Sequence, residues 1–251
     1  MRTATLAFTL TLALSTLAFS PLGLAATARA QDMAGLSSIY GAGVFRQAVI
    51  AVAPTALRAA GPNRETITTA SQTPVPDFAF QRSERVDAAA RQRLLDSLLA
   101  TTTDPAAQAE IRDSVTSDAV WSKFDSVLSM AGYSASNLAD VTAAYYIITW
   151  EVVSGGDAIL HPAGVRAVRD AVAAALASNP GLATMSDADM QETAVIMAYK
   201  ATVAGSAARR LAKAGDEAGL ARLRDAVHRS VLTHGIDLSG LRLTERGLNP
   251  R

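Results

Sequence analysis

Asn137-Leu-Ala-Asp-Val-Thr-Ala-Ala-Tyr-Tyr-Ile-Ile-Thr-Trp-Glu-Val-Val153 decides the fold class, because it has the length of a helix and is apolar on nearly every side. Asn137 is a helix cap, Asp140 stands three residues later in the capping-box position, and Gly155-Gly156 ends the segment. A helix with no polar face cannot lie on the outside of a water-soluble domain. Other helices must therefore surround this one.

The flanking sequence supplies them. Upstream, Val86, Ala90, Leu94, Leu95, Leu98 and Leu99 recur at helical spacing from Ser83 onward. Asp104-Pro105 starts a second helix, expected to end before Ser114, and Ser117 starts a third, closed by Gly132. Downstream, Pro162 opens a fifth helix with a stripe of Val165, Val168, Val172 and Leu176, ended at Asn179-Pro180-Gly181. Ser186 caps a sixth, on which Met190, Ala194, Met197, Ala201 and Ala204 share one face while Val195, Ile196, Tyr199 and Val203 fill much of the rest. That pattern makes it the second central helix. A seventh follows Gly215-Asp216 with Leu220, Leu223, Val227 and Val231 and ends at Gly235. The tail from Ile236 to Leu248 alternates too briefly for a firm strand and is expected to lie as a short extended cap over the bundle. The expected fold is all-α, one bundle-like domain of about seven helices over residues 83–251.

Ahead of that domain two further segments are expected. Residues 1–30 read as a cleavable export signal, with Arg2 in a short basic start, an apolar run from Ala4 through Leu24, and small residues at Ala28 and Ala30 just before Gln31. An uncleaved anchor is the alternative, disfavoured by Pro21 and Gly23 at the end of the run. Residues 31–82 form an N-terminal segment with a short helix near Val44 to Ala53 and a Gly/Pro/Thr-rich linker.

Composition narrows the function classes. The chain has 23 basic and 23 acidic side chains, and loss of residues 1–30 removes Arg2 and Arg29 only, leaving 21 against 23. A nucleic-acid partner would call for a basic excess, which is missing. With no cysteine in the sequence, thiolate nucleophiles, thiolate metal sites and disulfides are excluded. After cleavage no integral membrane segment is expected.

Several short stretches resemble an uncharacterised family of exported bacterial all-helical proteins, a domain of unknown function. They are Asn137-Leu-Ala-Asp140 with Ala143 to Tyr145 and Trp150, Ser178-Asn-Pro180, Ser186-Asp187 with Gln191, Gly235 to Leu238, and Leu243-Thr244. The resemblance runs from about residue 78 to 248 and implies export and these helix boundaries. It implies no activity.

The chemistry-bearing residues are few. The three histidines, His161, His228 and His234, have no ligand spacing, so no metal is expected, and no motif calls for a cofactor. There is no Gly-x-Ser-x-Gly elbow, and Gly41-Ala-Gly43 lacks the rest of a dinucleotide fingerprint. Glu151 is the only charged residue between Val141 and Val153, and apolar neighbours would raise its pKa toward general acid or base use. Asp140 shares its helix face but lies about 16 Å away along the axis, too far for a carboxylate pair. A salt-bridged structural Glu151 is the plainer reading. Tyr145, Tyr146, Trp150, Met190, Met197 and Tyr199 can line an apolar ligand pocket between the central helices, or simply fill the core. The expected function is that of an exported, non-enzymatic binding or structural protein of the cell envelope, with a protein or lipid as partner. The alternative is an envelope hydrolase using Glu151.

Overall fold

A computed structural model describes residues 77–251, His234 excepted. The export signal, the helix expected near Val44 to Ala53 and the linker before Asp77 lie outside the described residues, as does His234.

The described chain is all-α with a short C-terminal hairpin. Its helices are α1 (Glu84–Leu99), α2 (Pro105–Thr116), α3 (Asp118–Met130), α4 (Leu138–Ser154), α5 (Pro162–Ser178), the single turn α6 (Pro180–Ala183), α7 (Asp187–Lys213) and α8 (Glu217–Leu232). A 3-10 turn, Ala158–Leu160, separates α4 from α5, and strands β1 (Leu241–Thr244) and β2 (Gly247–Pro250) close the chain. None of the described helices is long and apolar enough to cross a membrane.

Caps set the boundaries. Asn137 accepts from the Ala139 and Asp140 amides at the start of α4, and Gly155 ends it in the left-handed region with φ 70°. Asp104, Ser117, Ser186 and Asp216 cap α2, α3, α7 and α8 in the same way. Asp140 departs from the capping-box expectation. Its carboxylate accepts from the Ser134 amide at 2.9 Å and from the Arg169 Nε at 2.8 Å, and so ties the start of α4 to the loop before it and to α5. The second helix also runs on to Thr116, past the expected end, and Pro180 starts α6 where a plain break was expected.

Helices α4 and α7 form the centre. They run parallel, since Thr142 meets Met197 and Ile148 approaches Gly205 six and eight residues further along the two helices. Helices α1, α3 and α8 pack on α7, and α5 packs on α4. Tyr145, Tyr146, Leu138 and Val141 of α4 and Met197, Tyr199, Ala201 and Ala204 of α7 are among the most buried side chains. Phe78 and Phe80, ahead of α1, join the same core, with the Leu138 amide donating to the Phe78 carbonyl and the Phe80 amide to the Ser136 carbonyl. The tail closes into an antiparallel hairpin, Leu243 opposite Leu248, that packs on α5. Gly164 permits that contact, because a β-carbon there would stand 2.1 Å from the Thr244 carbonyl oxygen.

Candidate functional site

The six aromatic and methionine candidates are all in the core. Tyr145, Tyr146, Met197 and Tyr199 are essentially inaccessible, and Trp150 and Met190 are buried. Their contacts diverge. The Tyr199 hydroxyl lies 2.6 Å from the Ser114 hydroxyl on α2 and its ring 5.9 Å from Trp121 on α3. The Trp150 indole N–H donates to the Leu241 carbonyl of β1 at 3.2 Å, and the Met197 sulfur accepts from Thr142 at 3.5 Å. Tyr145 and Tyr146 meet edge to face at 5.2 Å. Burial raises the pKa of all three tyrosines, so their hydroxyls stay neutral at any physiological pH. The Tyr146 hydroxyl has no hydrogen-bond partner among the described residues.

Tyr199 thus links α7 to α2 and α3, and Trp150 links α4 to β1. A crevice elsewhere, lined by Phe80, Trp121, Phe124, Gln191 and Val195, includes none of the six. Its interior of about 20 Å³ holds one water and no drug-sized ligand.

Glu151 has a structural partner. Its Oε1 accepts from the Ala158 amide at 2.8 Å, which pins the 3-10 turn to the last turn of α4. Desolvation raises its pKa, the Ala158 N–H pulls the other way, Asp157 raises it further and Arg209 lowers it. Asp157 and Arg209 are thus the charged groups near the carboxyl. Tyr145 and Tyr146, on the same helix, are buried in the core, and at the start of α7 Asp187 accepts from the Gln81 amide and Asp189 from the Ser186 hydroxyl. Among the described residues no group of three His, Asp or Glu side chains could hold a metal ion. His161 is the residue before α5 and makes no side-chain cap bond, and His228 Nε2 stands 3.9 Å from Asp237.

Two features escape a sequence reading. Lys200, in the middle of α7, is 1% exposed, and burial alone holds its pKa down to about 7. Ile159 and Leu160, adjacent on the 3-10 turn, are 76% and 72% exposed. The only sequence signal for them is an apolar pair set in a short polar connection between Asp157 and His161-Pro162. Beneath them the turn is firmly held. Ala158 is buried, the Asp157 carboxylate accepts from the Ile159 amide at 2.9 Å, and Gly156 crosses the Trp150 ring so closely that a β-carbon would stand 2.2 Å from it.

A family model described as a family of unknown function, DUF6683, matches residues 2–251, nearly the whole chain. The chain belongs to that family. No curated protein and no solved structure matches it. For DUF6683 the all-helical domain with its C-terminal hairpin is therefore described from this chain's own geometry, and membership brings no activity with it.

Proposed function

We propose that this protein is an exported, non-enzymatic binding protein of the cell envelope and that it binds through its surface. The observation that carries this reading is the contrast between a filled core and the exposed Ile159-Leu160 tip. Isolated exposed aliphatics are ordinary, and Met130 and Leu232 are examples. An adjacent pair on a turn fixed from below by Glu151, Asp157 and Trp150 is a different matter, because its backbone is already ordered and only side-chain rotamers are left to immobilise when a partner binds. A photo-crosslinking amino acid in place of Leu160, expressed in cells, should give a discrete adduct with an envelope component. The same substitution for Met130 should give none. Equal, diffuse labelling from both positions would remove the tip from the reading.

One observation favours a second reading, an envelope hydrolase with Glu151 as general acid or base. The carboxyl is desolvated, its pKa is raised, and Asp157 and Arg209 stand near enough to couple to it. Glu151→Gln discriminates, since it removes the titratable charge and keeps an oxygen for the Ala158 amide. Lost turnover on envelope polysaccharide or peptide with an unchanged melting temperature would support catalysis. Full retention of any turnover found would end this second reading.

A further inference from the structure

The surface-binding reading does not name the partner, and the residues around the tip do. The patch is small, two side chains standing out from a turn, whereas a stable contact between copies needs about 800 Å² on each side. A flat or convex second copy cannot be held by it. Shallow insertion suits it better, because a fluid phase closes around two projecting aliphatic groups without needing a matching surface.

The charges beside the tip select among such phases. Helix α5 follows the turn directly, the β-hairpin packs along its first half, and Arg224 reaches from α8 to within 3.1 Å of where a Gly155 β-carbon would stand. These elements carry Arg166, Arg242, Arg246 and Arg251, all exposed, and the partly buried Arg224. Among the described residues none of the five forms an ion pair. Against them on the same turn and elements stand the exposed Asp157, Asp170, Glu217, Asp225 and Glu245, of which Asp170 and Asp225 pair with Arg169 and Arg229, while Glu151 is turned inward onto Ala158. The balance beside the tip is cationic, although the molecule as a whole is not. The geometry points to an anionic lipid bilayer as the partner, with Ile159 and Leu160 entering the headgroup boundary and the arginines of α5, α8 and the hairpin against lipid phosphates.

The absence of cysteine from the chain makes the test clean. Leu160→Cys, labelled with an environment-sensitive dye in the processed protein recovered from cells, is titrated with vesicles of phosphatidylglycerol and phosphatidylethanolamine. Met130→Cys is the labelled control. The dye at position 160 should shift to the blue and the control should not. Binding should weaken roughly fivefold for each of Arg242→Gln and Arg246→Gln, and roughly tenfold or more for Ile159→Ser with Leu160→Ser. All of these positions are exposed, so circular dichroism should be unchanged. No shift, an equal shift with phosphatidylcholine alone, or a shift that depends on protein concentration without vesicles would overturn the lipid assignment. If crosslinking from position 160 then yields a protein adduct, surface binding stands and the lipid is wrong. If it yields neither lipid nor protein, both fall.

Discussion

Lys200 lies in the middle of α7 with its ammonium held at about 7 by burial, while an unfolded lysine titrates near 10.4. Between those values the unfolded chain binds a proton that the folded chain does not, so the folded state gains stability as pH rises from about 7 to about 10. The gain is on the order of 4 kcal/mol. Tyr145, Tyr146 and Tyr199 act in the opposite sense above that window. Their folded pKa values are raised by burial, so they remain neutral when unfolded tyrosines begin to ionise, and the stability they hold below about pH 10 is lost beyond it. Urea denaturation across this range should show a maximum near pH 10, and Lys200→Met should flatten the rising limb while stabilising the protein at pH 6. A flat profile for the unsubstituted protein would show that Lys200 keeps its charge in the fold. Trp150 gives a second residue-scale expectation. Trp150→Ala empties a buried site and should cost about 3 to 5 kcal/mol, and Trp150→Phe, which loses the N–H bond to Leu241 and part of the ring that packs beneath Gly156, a smaller amount of about 2 kcal/mol.

At the scale of the element, α4 was readable because everything that defines it is local. Asn137 and Gly155 are its caps, and its lack of a polar face announces its central place. The role of Asp140 was not readable, since its partner Arg169 is 29 residues away and only the packing of α5 brings it near. The hairpin was hidden for a similar reason. Two strands of four residues are not stable alone, and these are held by the close approach of Gly164 to Thr244 and by the Trp150 bond to Leu241. Gly164→Ala should therefore lift β1 from α5 and cost about 1 to 3 kcal/mol. Hydrogen exchange should show protection lost at the Arg242 and Asn249 amides, which face each other across the two strands, and kept across α7. Uniform loss through the whole domain would mean that the hairpin is part of one cooperative unit. For the candidate site, residue types were legible and exposure was not. Nothing in the spacing of Ile159 and Leu160 distinguishes a projecting pair from one folded under the turn, and nothing along α7 marks Lys200 as buried until its neighbours are in place.

At the scale of the molecule, the core among the described residues is drawn from Phe78 to Leu248, and ahead of them the sequence carries an apolar run from Ala4 to Leu24. A run of that length left on the chain would have to be shielded from water by a membrane, by self-association or by packing. Its arrangement instead fits removal. Arg2 gives the basic start, Pro21 and Gly23 break the helix, and Ala28 and Ala30 present the small side chains that a signal peptidase requires before Gln31. The protein recovered from outside the cytoplasm should begin at Gln31 or within about three residues of it, as read by N-terminal sequencing or intact mass. Ala30→Leu should slow processing and leave the unprocessed chain in the membrane fraction, while a substitution at Gln31, on the other side of the cut, should leave it unaffected. Recovery of the full-length, unsubstituted chain from the cytoplasm would refute export, and with it the envelope as the place where the tip finds its partner.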